Sequence, residues 1–136
     1  MPPLSILVKP ASSACNLRCS YCFYADEASI RSVPNYGRMP AQVSSALIEG
    51  AMGAAEGAVS FLFQGGEPTL AGLEFYRDFV SRVHKAAPPG LAVQYAIQTN
   101  GTLLDEEWCR FFRAHRFLVG LSLDGSRECH NRFRLD

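Results

Sequence analysis

Hydrophobic positions along this chain follow two rhythms. Four short runs are rich in β-branched or aromatic residues: "LSILV" (Leu4 to Val8), "VSFLF" (Val59 to Phe63), "LAVQYAI" (Leu91 to Ile97) and "FLVGLSL" (Phe117 to Leu123). Between them, apolar residues return at helical spacing. Val43, Leu47, Ala51 and Met52 do so between the first two runs, and Leu73, Tyr76, Val80 and Val83 between the second and third. Before the fourth, Asp105, Glu106 and Glu107 put negative charge where a helix N-terminus favours it, and Trp108, Phe111 and Phe112 follow as an apolar face. The order βαβαβαβ predicts an α/β fold, a sheet of parallel strands covered by helices. Only thirteen residues, "DGSRECHNRFRLD", follow the fourth run. The last strand is therefore expected to lack its covering helix, and residues 1–136 to be the first part of a larger α/β enzyme, truncated after about the fourth β-strand. The stretch from Asp26 to Met39 is expected to be the one extended irregular loop.

Composition narrows the classes without choosing among them. The 136 residues are 48% hydrophobic and 19% charged, and 13 basic residues balance 13 acidic ones. Such a field points to no nucleic acid and no anionic membrane. No apolar run approaches the roughly 20 residues of a membrane span. The N-terminus, "MPPLSILVKPASS", has no charged leader and too short an apolar core for a signal peptide. The expected compartment is the cytoplasm, where clustered thiols more often mean metal or catalysis than disulfides.

The candidate chemistry lies at the C-terminal ends of the four strands, where α/β enzymes place their sites. After the first comes "SACNLRCSYCFYAD", with Cys15, Cys19 and Cys22 spaced C-x3-C-x2-C. That spacing lets a short loop wrap one polynuclear cluster. A [4Fe–4S] cluster ordinarily takes four thiolates, so three leave one iron open to a ligand that is not protein. Zinc is the rival, but it needs a fourth ligand, and His84, His115 and His130 are all remote in sequence. A thioredoxin-like pair of Cys19 and Cys22 would leave Cys15 without a purpose. Cys109 and Cys129 read as bystanders, small buried hydrophobes.

After the second strand comes "QGGEPT", after the third "QTNG", and after the fourth "SLDG". In isolation GGEP reads as a tight turn with Pro68 opening the next segment. Beside a three-cysteine loop, Gly65 and Gly66 let backbone approach a ligand, and Glu67 offers an acceptor for an ammonium group. An open iron next to a site for a molecule with both amine and carboxylate implies S-adenosylmethionine, with Gly65, Gly66 and Glu67 holding its amine. Asn100 is expected to hold its own turn through its side chain.

The segments "KPASSACNLRCSYCFY", "FQGGEPTLAGLEFY", "QTNGTLLDEEW", "FLVGLSLDG" and "HNRFR" resemble the radical S-adenosylmethionine superfamily, most closely its anaerobic sulfatase-maturating enzymes, SPASM-containing peptide maturases. The resemblance implies the N-terminal part of a partial (β/α)6 TIM-like barrel, without the C-terminal SPASM auxiliary-cluster region. It implies that Cys15, Cys19 and Cys22 ligate the [4Fe–4S] cluster and that Tyr21 packs near the adenine. Gly66 would offer backbone to the methionine moiety, while Ser122 and Arg134 bind ribose and carboxylate. Tyr24 and Gln64 would face the substrate, a cysteine or serine of a sulfatase polypeptide oxidised under anaerobic conditions to Cα-formylglycine via a 5′-deoxyadenosyl radical. An electron donor such as ferredoxin or flavodoxin is implied. The family's catalytic base would lie beyond residue 136, so these residues alone are not expected to mature a sulfatase. Two alternatives stay open: a maturase that forms a thioether or carbon–carbon crosslink in another peptide, and a non-catalytic iron–sulfur or zinc module.

Overall fold

In a computed structural model, residues 3–136 are described, and Met1 and Pro2 of the N-terminal segment lie outside them. Four strands form one sheet in the order β1 (Leu4–Val8), β2 (Ala58–Phe63), β3 (Ala92–Thr99) and β4 (Leu118–Leu121). All three pairings are parallel. Each sequential strand therefore adds beside its predecessor, and every strand ends at the same edge. The expected α/β architecture is what the chain adopts.

Register explains the core. Val8 pairs with Phe63, which pairs with Ile97, while Ile6, Phe61 and Tyr95 form the next row on the same face. Against that face pack α2 (Ala41–Ala54), α3 (Leu73–Ala86) and α4 (Glu106–Ala114), through Ile48 and Ala51, through Tyr76, Phe79 and Val83, and through Trp108, Phe111 and Phe112. Aromatic rings fill the space between the layers. Phe63 meets Phe79 and Tyr76 edge to face at 5.1 and 5.0 Å, and Phe117 stacks on Tyr95 at 5.0 Å. Such pairs add to the area they bury.

The other face of the sheet is largely open: Leu7, Leu62 and Leu118 are all exposed. On β4 the exposure reaches both faces, since Val119 shares a row with Ile97 yet is also exposed. A short helix does follow β4, α5 (Arg127–Phe133), but it buries no residue. The stretch from Asp26 to Met39 is not irregular throughout. Its beginning belongs to α1 (Phe23–Ser29), which the hydrophobic rhythm could not announce because α1 buries nothing either. Cys109 and Cys129 are exposed, contrary to the expectation of small buried hydrophobes. Cys109 lies beside Trp108 on a helix whose apolar face is already filled by Trp108, Phe111 and Phe112. Among the described residues, no helix is long and apolar enough to cross a membrane.

Candidate functional site

The loop after β1 is fastened to the end of β2 by main-chain bonds that prolong the sheet. Gln64 N donates to Val8 O at 3.0 Å, Gly66 N to Ser12 O at 3.2 Å, and Glu67 N to Ala14 O at 2.7 Å. This approach is why glycines stand here. A Cβ on Gly66 would lie 2.0 Å from the Ala14 carbonyl oxygen. One on Gly65, whose φ is +117°, would lie 2.8 Å from that of Ser12. The paired glycines bring the cysteine loop down onto β2.

Glu67 then ties β2 to β3. Its Oε1 accepts from Thr69 N (3.0 Å), Thr69 Oγ1 (2.6 Å) and Thr99 Oγ1 (2.7 Å), and its Oε2 accepts from Asn100 N (2.8 Å). The residue is 1% exposed. The expectation that its carboxylate waits for an ammonium group is therefore corrected. Four donors already occupy it, and the main-chain N and O of Glu67 are bonded to Ala14 O and Leu70 N, so the residue serves here as a tie between β2, β3 and the cysteine loop. A buried charge needs such partners. Tyr76, whose phenol is pushed up by burial and then by Glu67, donates to Pro68 O at 2.8 Å and fixes the turn from below.

Asn100 holds its own turn as its residue type predicts, its Oδ1 accepting from Thr102 N at 3.0 Å. It also reaches the cysteine loop, Nδ2 donating to Asn16 Oδ1 at 2.9 Å and standing 4.0 Å from Cys15 Sγ. Ser122 receives a bond from Gln98 Nε2 at 2.8 Å. Gly120 makes room for that amide, since a Cβ there would meet Gln98 Oε1 at 2.2 Å. From the far end of the chain, Arg18 N donates to Leu135 O and Ser20 N to Phe133 O, so the cysteine loop also lies against residues 133–135.

These connections enclose a cavity of about 290 Å³ at the C-terminal edge of the sheet. All eleven residues predicted for the site line it: Cys15, Cys19 and Cys22 with Tyr21 and Tyr24 from the first loop, Gln64 to Glu67 from the second, Ser122 from the fourth, and Arg134. Leu17, Phe23, Gln98, Thr99 and Asn100 line it too, without having been singled out for binding. Asp124 was missed altogether. It accepts from the Tyr21 hydroxyl and from Arg134, which hold its carboxyl below the usual range, the Tyr21 bond contributing most. A larger cavity of about 480 Å³ shares Tyr24 and is lined by Lys9, Tyr36 and Arg38, but no cysteine reaches it.

The donor set fits an iron–sulfur cluster. The three thiols are free and share the cavity wall. Among the described residues, no three His, Cys, Asp or Glu side chains converge on a point where a single ion would sit. Each sulfur of a cluster loop ordinarily carries hydrogen bonds that tune the metal. Here Leu17 N donates to Cys15 Sγ at 3.4 Å, and Arg134 Nη1 stands 3.8 Å from Cys19 Sγ. Partial burial of its sulfur pushes the Cys15 thiol up, although the residue as a whole is exposed. A cationic metal is what would turn it into a thiolate.

The chain is similar to known proteins over nearly its whole length. It is 48% identical over 136 residues to a cysteine-type anaerobic sulfatase-maturating enzyme of Clostridium novyi, covering 100% of this chain and 36% of that protein. It is 39% identical over 134 residues to a serine-type anaerobic sulfatase-maturating enzyme of Klebsiella aerogenes, covering 98% of this chain and 33% of that one. The solved structure of native anSMEcpe with bound AdoMet and Kp18Cys peptide superposes with a TM-score of 0.91 at 49% identity, over 99% of this chain and 36% of that one. The chain thus spans about a third of the length of the relatives it matches. The family model for the radical SAM superfamily matches residues 10–134, and the chain belongs to that superfamily.

Proposed function

We propose that this chain carries the radical-generating part of an anaerobic sulfatase-maturating enzyme, an oxidoreductase that converts a cysteine or serine of a sulfatase polypeptide to Cα-formylglycine. One observation carries the reading. Three free thiols share a single cavity with an arginine, a serine hydroxyl and closely approaching glycine backbone. When bound there, a [4Fe–4S] cluster with S-adenosylmethionine supplies one-electron cleavage of the sulfonium and a 5′-deoxyadenosyl radical that can take a Cβ hydrogen from the peptide.

The protein's own part is to bind, orient and exclude. Cys15, Cys19 and Cys22 hold iron as thiolates, and the donors facing Cys15 and Cys19 stabilise their negative charge. Gly65 and Gly66 line the cavity and offer main chain to the amine, a task the hydrogen-bonded Glu67 carboxylate does not share. Tyr21 lies beside the adenine. Ser122 and Arg134, which line the same cavity as the glycines, take ribose and carboxylate. Tyr24 and Gln64 face the peptide.

A cysteine target is favoured by the higher identity to cysteine-type relatives, 48% against 39% for the serine-type protein of Klebsiella aerogenes. A solved neighbour with 49% identity holds a peptide named Kp18Cys. The chemistry requires a reduced, oxygen-poor compartment, the cytoplasm, and a low-potential electron donor such as ferredoxin or flavodoxin. Anaerobic reconstitution with iron and sulfide tests the reading. The reduced cluster's electron paramagnetic resonance spectrum should shift on adding S-adenosylmethionine, and Cys19→Ala should abolish cluster and shift together. Stoichiometric zinc without sulfide would replace the enzyme with a structural metal module.

A further inference from the structure

We propose that Asp124 is a positioning residue, a carboxylate clamp that aims both Arg134 and Tyr21 into the cluster cavity. The inference rests on the reading above, in which those two side chains hold S-adenosylmethionine.

Geometry carries the argument. Arg134 donates through Nε to Asp124 Oδ2 at 3.0 Å and through Nη2 to Oδ1 at 3.1 Å, a two-point pairing that fixes the plane of the guanidinium. The pairing uses the Nε–Nη2 edge. It turns Nη1 the other way, where it stands 3.8 Å from Cys19 Sγ on the cavity wall. The edge left over is the one a ligand carboxylate would need. The same Asp124 Oδ2 also accepts from the Tyr21 hydroxyl.

Packing holds the two partners unequally, the Arg134 side chain being 14% exposed and Tyr21 standing largely in the open. Arg134 caps α5, a helix that buries no residue. Tyr21 is 53% exposed, with Phe133 edge-on to its ring at 6.2 Å and the Arg134 guanidinium 5.6 Å from the ring centre. Without Asp124 the open Tyr21 side chain would gain rotamer freedom and the part-buried Arg134 would lose the partner that sets its guanidinium plane, so both would pay for ordering when ligand binds. Asp124 is itself held, its N–H donating to His130 Nδ1 at 3.4 Å, and it sits just beyond β4 in the "SLDG" loop. One carboxylate therefore ties the β4 loop, the cysteine loop and α5 to the orientation of the ligand-facing groups.

The test uses the chain with its cluster reconstituted and reads S-adenosylmethionine affinity from the titrated shift of the electron paramagnetic resonance spectrum. Asp124→Asn keeps the shape and loses the charge. It should weaken binding about 10–100-fold, the range for partners that orient a ligating group, with iron and sulfide content unchanged. Asp124→Glu should recover part of the loss. In an Arg134→Ala, Tyr21→Phe background, Asp124→Asn should add nothing, because it acts only through those two. Affinity within about twofold of the native chain overturns the clamp, as does an equal loss in that double background. Loss of iron in Asp124→Asn also overturns it and makes the residue a fastener of the cysteine loop. Normal binding by Asp124→Asn beside weak binding by Arg134→Ala sinks the clamp alone. Normal binding by Arg134→Ala and Tyr21→Phe sinks the reading of the site and the clamp with it.

Discussion

Gly66 has no room for a side chain, because the carbonyl of Ala14 occupies the place where a Cβ would go, 2.0 Å away. The obstacle is backbone and cannot swing aside. In Gly66→Ala the cysteine loop must lift from β2, breaking the bonds from Gly66 N to Ser12 O and from Glu67 N to Ala14 O. Overpacking of this kind costs about 1–3 kcal/mol. The sharper effect is expected in the site, where Cys15 is the next residue after Ala14. Reconstituted Gly66→Ala should hold substantially less iron and sulfide than the native chain, while its far-ultraviolet circular dichroism stays native. Gly50 supplies the contrast. It lies within α2 with nothing within 4 Å of a built Cβ, so Gly50→Ala should stabilise the chain by about 0.5–1 kcal/mol in urea and leave iron content unchanged. Iron content equal in the two variants would show that the loop tolerates lifting.

Helix α4 is where every local signal agrees. Asp105 Oδ1 accepts from Glu107 N at 2.9 Å and Trp108 N at 3.0 Å, Glu106 and Glu107 occupy the positive end, and Arg113 the last turn. Its buried side chains are Trp108, Phe111 and Phe112, spaced three and four apart. Asp105→Ala should therefore cost about 0.5–2 kcal/mol in chemical denaturation, and Asp105→Ser should recover most of it. The same agreement made α4 legible from its residues alone. Helices α1 and α5 lacked it, since neither buries a residue and so neither carries an apolar rhythm. A weaker signal for α5 was present in Ser126, whose hydroxyl caps Cys129 N at 3.3 Å with Glu128 in the first turn. For α1 the signal was only Asp26 in the first turn, since Cys22 stands at its N-cap without any side-chain cap bond. The α5 end of the chain is tied to the cysteine loop and to Asp124 beyond β4, contacts that no local pattern records.

At the scale of the whole molecule, parallel pairing made the site readable: once all strands run one way, the motifs that follow them must share an edge. What it could not reveal are groups that matter through distant partners. Tyr21 and Asp124 are 103 residues apart, and nothing in "SLDG" singles out its aspartate. The same parallel sheet also has two unequal faces, and their energetics can be separated. Phe61 is fully buried on the helix side, with Phe79 edge-on at 5.1 Å and Tyr95 stacked at 6.2 Å. Phe61→Ala should cost about 3–5 kcal/mol, a large part of a small domain's stability. Leu118, at 74% exposure on β4, gives up little when replaced, so Leu118→Lys should fall within about 0.5 kcal/mol of the native chain. Lysine is moreover a residue that edge strands tolerate. Urea denaturation of the two variants at several protein concentrations distinguishes burial from association. A native chain whose stability rose with concentration, and a large loss in Leu118→Lys that removed that rise, would mean that a second copy covers this face, because a partner bound to the folded chain stabilises it by mass action. A small, concentration-independent change means that the helix side alone holds the chain together, leaving the open face free of any structural duty in these 136 residues.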